Sequence, residues 1–152
     1  MVEGGGAVAR VVMGSLWGAT APTTCHSPTL YADIALQPGG SLPVDAGAEE
    51  RALYVAEGGA SLDGLALDAG TLYVLKPGIS ATLRSQDGGR VMLCGGAPLD
   101  GPRHVFWNFV SSRRERIDQA KEDWKAGRFA LPPDDHDEFI PLPDVPKTVS
   151  YP

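Results

Sequence analysis

The 152-residue sequence predicts an all-β protein, an antiparallel β-barrel of the jelly-roll kind with one C-terminal α-helix. Three observations carry this. Extended apolar segments recur at short spacing between Gly- and Pro-based turns, the alternation inside them has the two-residue period of a sheet, and the helical period appears only once, late in the chain. The 19 glycines and 13 prolines fit the same class, because a fold of short strands needs many tight turns.

Taken in order, residues 1–8 read as a flexible leader, with Glu3 to Gly6 resembling a Gly-rich linker remnant. The folded domain is expected over 9–143 and an extended tail over 144–152. Strands are expected at Ala7 to Met13, Leu30 to Leu36, Arg51 to Glu57, Thr71 to Leu75, Ile79 to Arg84 and Arg90 to Gly95. The runs between them, such as Pro38-Gly39-Gly40, Asp63-Gly64 and Pro77-Gly78, offer the positive or fixed φ that turns require. Leu30, Ala32, Ile34 and Leu36 alternate with Tyr31, Asp33 and Ala35, so one face of that strand is apolar and is expected to meet the core.

A helix is expected over about 112–126. Ser112-Arg113-Arg114-Glu115 has the form of a capping box. Ile117, Ala120 and Trp124 form a narrow apolar stripe, read as packing that docks the helix on the barrel. Arg114 with Asp118, and Glu122 with Lys125, are spaced to pair on the wet side, and Gly127 is a natural stop. Beyond Phe129, five prolines from Pro132 to Pro146 exclude a helix. Phe139, Ile140 and Leu142 are apolar enough to lie along another surface, and Asp134 to Glu138 read as a solvated acidic loop around His136.

The totals exclude several classes of function. A net charge of −6 without a basic stripe argues against nucleic acid, whose phosphates select clustered Lys and Arg. No apolar run approaches the ~20 residues needed to span a bilayer, and the first residues lack the charged start and apolar stretch of a signal peptide. Two cysteines, Cys25 and Cys94, are too few for a disulfide scaffold and read as reduced thiols, so a cytoplasmic setting is expected. There is no G-x-S-x-G elbow, no G-x-G-x-x-G leading into a helix and no Walker pattern, so neither a serine hydrolase nor a phosphate cradle is indicated.

The stretch from Pro38 to Gly78 resembles the cupin (RmlC-like) pattern, in which P-x-H-x-H, a following Glu, Y-V-x-x-G and G-D-x-x-x-x-P-x-G precede a last His. Against Pro43 and Tyr54-Val55-Ala56-Glu57-Gly58, the two His positions fall on Asp45 and Gly47, the Glu position falls near Arg51, and the last His falls near Ala81 or Thr82. An acid, a hydrogen and a cation in the first three places cannot grip a transition metal, which needs imidazoles and a carboxylate converging on one point.

Two further segments sharpen the resemblance. Arg10-Val11-Val12-Met13-Gly14-Ser15 with Gly18, then Ser27 to Asp33, and later Gly101 to Phe129 followed by Asp137 to Pro143, are similar to the C-terminal domain of the pirin family. The resemblance runs from Arg10 to Pro143. It implies relatives built of two stacked cupin barrels, with iron held by three His and one Glu in the first, transcriptional co-regulation in eukaryotes and quercetin dioxygenase activity in some bacteria. Only the second barrel, usually metal-free, is matched, which implies a stand-alone homologue, a fragment or a separate domain.

The site candidates follow from these readings. Asp45, Arg51 and Tyr54 could line a pocket at the barrel mouth, with Arg51 expected to pair with Asp45 or Glu50. Cys25, His26, Cys94 and His104 could meet in a metal site only if distant loops converge, since their spacing carries no ligand signature. The reading is a cofactor-free binding or assembly module. It is expected to form a homodimer or to join a separately encoded cupin half, with a small molecule as a further ligand. The alternatives are a quercetin 2,3-dioxygenase-like component acting with a metal-bearing partner, and a transcriptional co-regulator.

Overall fold

The structure, a computed structural model, describes residues 1–144. Where one domain over 9–143 is expected, the chain divides into two compact units, Met1–Pro98 and Leu99–Pro152. The physical reason lies at the junction. Pro98, Gly101 and Pro102 break strand pairing, and the aromatic residues beyond them build a small core of their own. Of the expected tail 144–152, only Asp144 lies among the described residues.

The first unit holds twelve strands: β1 (Val2–Gly4), β2 (Ala7–Met13), β3 (Ser15–Leu16), β4 (Ala19–Thr20), β5 (Thr29–Leu36), β6 (Ser41–Val44), β7 (Glu50–Gly58), β8 (Ala60–Leu62), β9 (Leu65–Leu67), β10 (Leu72–Val74), β11 (Ala81–Arg84) and β12 (Gly89–Gly96). They form a six-stranded sheet, β1-β2-β5-β12-β7-β10, a four-stranded sheet, β6-β11-β8-β9, and a small ribbon, β3-β4, all with antiparallel neighbours. One core cluster draws on both larger sheets: Ala32, Ile34, Leu53, Val55, Val91 and Leu93 from one, Leu42, Val44, Leu67 and Leu83 from the other. In β5, Ala32, Ile34 and Leu36 are buried while Asp33 and Ala35 are not, the alternation expected from sequence. Fully burying each large aliphatic side chain contributes ~1.5–3 kcal/mol, and this interior is filled with them.

The first residues are not a loose leader. Val2, Glu3 and Gly4 pair with Ala9, Val8 and Ala7 across a two-residue turn whose glycines, Gly5 and Gly6, have φ of 58° and 74°. Positive φ at both positions matches the twist a short hairpin needs. Close backbone approach fixes the turn further: Ser41 N–H donates to Gly5 O at 2.7 Å, and a Cβ on Gly6 would lie 2.9 Å from Gly40 Cα. The strand β6 was hidden by Pro43. It is tolerated because β6 lies at a sheet edge, paired only with β11.

The second unit contains a hairpin, β13 (His104–Phe106) and β14 (Phe109–Ser111), and helix α1 (Arg114–Lys125). The helix packs on this hairpin of its own unit. It starts without the expected capping box. Arg113 is the N-cap residue with no side-chain cap, and the nearby hydroxyl in use is that of Ser111, which accepts from Arg113 N–H at 3.1 Å. Asp118 pairs with Lys121 at 3.0 Å instead of Arg114, and Lys125 pairs with Glu122 at 2.9 Å as expected. Gly127, with φ of 65°, ends the helix: its N–H donates to Trp124 O and that of Arg128 to Asp123 O, the doubled bond pattern of a Schellman stop.

Trp124 anchors an aromatic cluster with Trp107, Phe109, Phe129 and Phe139, at centroid separations of 5.0 to 6.1 Å. Its indole N–H donates to Ile140 O at 2.8 Å. The apolar end of the Pro-rich segment thus lies along the helix of its own unit.

Candidate functional site

Arg51 organises the end of the first unit at which β7 begins. Its side chain follows Leu53 and Val55 on the inner face of β7 and is 2% exposed. Nη1 donates to Asp45 O at 2.6 Å, and Nη2 donates to Lys76 O at 2.9 Å and Ile79 O at 2.8 Å. One guanidinium therefore ties the β6–β7 loop to the β10–β11 loop. Neither expected acid partner is used, because the inward-facing side chain meets main-chain carbonyls first. Nε is buried without a partner among the described residues.

Tyr54 is three residues further on, so the pleat turns it to the opposite face, where it is 39% exposed. It does not share a pocket with Arg51. Asp45 is exposed and does line a cleft. Of the three pocket candidates, Arg51 and Asp45 are brought together through the Asp45 carbonyl, and Tyr54 is not.

The cleft has a volume of 760 Å³. It opens where β2 and β12 end and β5 and β7 begin. Its walls come from Leu16 and Trp17 of the β3–β4 ribbon, Cys25 to Leu30 ahead of and within β5, Asp45 and Gly47 to Glu49 of the β6–β7 loop, and Gly96 with Ala97. Main-chain ties hold these segments: Ala97 N–H donates to Pro28 O at 3.0 Å and Ala21 N–H to Gly14 O at 2.9 Å. Trp17 has φ of 50°, a left-handed conformation uncommon for a large side chain, and its indole N–H is fixed on Pro43 O at 2.7 Å. Cys25, His26 and Asp45 could be singled out from sequence. Trp17, Leu30 and Glu49 could not, since they reach the cleft from separate segments.

The four expected metal candidates do not form one group. Cys25 and His26 line the cleft. Cys94 lies on the face of β12 opposite buried Leu93, its thiol 3.7 Å from Ala52 O. His104 is exposed in β13 of the second unit. Among the described residues, no three His, Cys, Asp or Glu side chains are placed to hold a metal ion. The cupin ligand positions lead to the same chemistry. Asp45 is exposed, Gly47 has no side chain, and Arg51 is a buried cation, so the residues present do not fit an iron.

Away from the cleft, Asp33 accepts both Nε and Nη2 of Arg90 at 2.8 Å on the outer face of the large sheet. That bidentate hydrogen bond holds the Asp33 carboxyl below its ordinary value, with the Arg90 charge adding to the effect. No helix among the described residues is long and apolar enough to cross a membrane.

Comparison with known proteins shows the family and the fold. A "Pirin-like protein" of Caulobacter vibrioides is 44% identical over 142 residues, covering 93% of this chain and 49% of that protein. A "Pirin-like protein" of Solanum lycopersicum is 30% identical over 135 residues, covering 83% of this chain and 45% of that protein. The crystal structure of a quercetin 2,3-dioxygenase from Acinetobacter baumannii superposes with a TM-score of 0.84 at 27% identity, covering 97% of this chain and 51% of that one. The chain spans about half the length of these relatives. The family described as the Pirin C-terminal cupin domain matches residues 31–130. The family match over most of the chain, the identity to pirin-like proteins and the shared cupin fold agree: the chain belongs to the pirin family, through its C-terminal cupin domain.

Proposed function

We propose that this chain is a metal-free cupin module that binds and assembles and has no catalysis of its own. Arg51 carries the reading. A guanidinium committed to three carbonyls stands where a cupin can present a carboxylate ligand, and aliphatic side chains fill the interior around it. A cation there repels a metal ion at any useful distance. The reading places the protein in the cytoplasm with both thiols reduced.

An assembly role is supported by the outer face of the large sheet. Leu72 and Val74 of edge strand β10 are 54% and 80% exposed and lie beside Tyr54 and Ala52 of β7. Exposed apolar groups in one row favour a protein partner. The partner that fits is a second cupin barrel, either another copy of this chain or a separately encoded metal-bearing half. Light scattering at micromolar concentration is expected to give a dimer, or a complex when a metal-bearing barrel is added. A monomer under both conditions contradicts the assembly role.

The likeness to a quercetin 2,3-dioxygenase over about half its length supports a second reading, in which the chain is one component of an oxygenase whose metal sits in its partner. Oxygen uptake with quercetin and ferrous iron separates the two. The chain alone is expected to add nothing to the iron-only rate. Uptake that requires only this chain overturns the first reading, and uptake that requires both chain and partner favours the second.

A further inference from the structure

We propose that the cleft beside Trp17 binds a small organic cation, an amine carried on an apolar or aromatic body. The cleft's 760 Å³ falls within the ~300–1,000 Å³ of ordinary small-molecule sites. Its walls are set before any ligand arrives. Arg51 holds Asp45 O, and with it the acidic wall, while Trp17 is pinned to Pro43 O, two residues ahead of Asp45. Preorganisation of this kind lowers the ordering cost of binding.

Charge selects the class. Asp45 and Glu49 line the cleft, neither carboxylate has an ion-pair or hydrogen-bond partner among the described residues, and no Lys or Arg lines it. An anion would enter against two carboxylates, with the nearest cation, the Arg51 guanidinium, buried and committed to main-chain carbonyls, whereas an ammonium gains from both and offers N–H donors to their oxygens. A bare metal ion is disfavoured because the described residues place no third donor with them. Trp17 selects the body. With its N–H already spent on Pro43 O, the indole can offer only carbon and π-surface, which attracts apolar groups and cations. Leu16, Pro28 and Leu30 extend that apolar wall.

This names the ligand of the binding role proposed above and stays distinguishable from it. Stoichiometric iron in the purified protein overturns the metal-free reading whatever the cleft binds, and failure of the cleft to bind leaves the assembly role untouched.

The test uses the whole chain and three probes of similar shape: phenethylamine, phenylacetate and 2-phenylethanol, titrated calorimetrically at pH 7.5 and low salt. Phenethylamine is expected to bind at least tenfold more tightly than either of the others. In the Asp45→Asn/Glu49→Gln double variant, that preference is expected to fall below threefold. Both positions are exposed, so an unchanged circular dichroism spectrum and melting temperature show that the loss is not unfolding. Absence of amine binding at millimolar concentration, equal or tighter binding of phenylacetate or 2-phenylethanol, or a tenfold preference that survives in the double variant each overturns the proposal.

Discussion

Replacing Arg51 by Met keeps most of the buried stem and removes the guanidinium. The wild-type group makes three hydrogen bonds, at 2.6, 2.9 and 2.8 Å, to carbonyls of two different loops. Bonds to a charged donor contribute ~1.5–3 kcal/mol each, and a buried polar atom without a partner costs ~1–3 kcal/mol. Taking the lower figure for each bond, because water can reach loop carbonyls once the side chain is gone, the three contribute about 4.5 kcal/mol. Partnerless Nε offsets about 1–2 kcal/mol of this. Arg51→Met is therefore expected to destabilise by about 3 kcal/mol. Arg51→Lys, whose single ammonium cannot span three carbonyls, should lose about half as much. Urea unfolding followed by far-ultraviolet circular dichroism reads this directly: with a slope of ~1.5 kcal/mol/M, the midpoint falls by about 2 M for Arg51→Met. A variant within about 0.5 kcal/mol of the parent would show that the clamp does not hold these loops.

Gly95→Ala is expected to weaken the pairing of β12 with β7, because a Cβ there would collide with the Glu50 carbonyl oxygen and lie 3.1 Å from Arg51 Cα, both main-chain atoms. A loss above ~2 kcal/mol in the same urea assay is expected, as for other overpacked sites. Gly127→Ala meets open space but keeps a φ of 65°, so it should cost only ~1 kcal/mol, read as a small drop in melting temperature. The Asp33–Arg90 pair sets a pH dependence. Asp33 titrates below its ordinary value of 3.8 in the folded state, so the pair's contribution is present above that value and lost as pH falls through the lower folded one. Asp33→Asn should flatten the acid side of a stability-against-pH curve below about pH 4, and an unchanged acid limb would contradict this.

The strands that form the core were legible because burial imposes a strict period. In the middle of β5, β7 and β12, over Ala32 to Leu36, Arg51 to Val55 and Val91 to Cys94, alternate positions are buried and the intervening ones are not, so a misread register would have put Ile34, Leu53 or Leu93 in water. Short edge elements were not legible. Leu62 and Leu65 flank the Asp63-Gly64 turn in β8 and β9, but strands of three residues carry too little alternation to stand out. Pro43 masked β6, and the Gly-Gly turn made β1 look like a linker, because the same residues serve tight hairpins and flexible chain. The capping box failed for a related reason, since Ser111 and Ser112 compete locally and the Ser111 hydroxyl is the one engaged.

The site divided in the same way. The loss of imidazole and carboxylate ligands was visible in Asp45, Gly47 and Arg51, because it depends only on residue type. What replaces them was not: the carbonyls that Arg51 reaches lie 6, 25 and 28 residues away and carry no side-chain signal. Of the cleft's walls only Asp45, Cys25 and His26 were singled out, because Trp17 and Glu49 are separated by more than two strands of sequence and joined only by the fold.

Metal analysis tests the central claim most directly. The chain, expressed in iron-replete medium and purified without chelators, is measured for iron, manganese, zinc and copper by mass spectrometry. Each metal is expected at well below ~0.1 equivalents per chain, since an arginine and a glycine stand among the ligand positions. About one equivalent of any of them, retained through gel filtration and lost together with a structural or spectroscopic signal, would contradict the account.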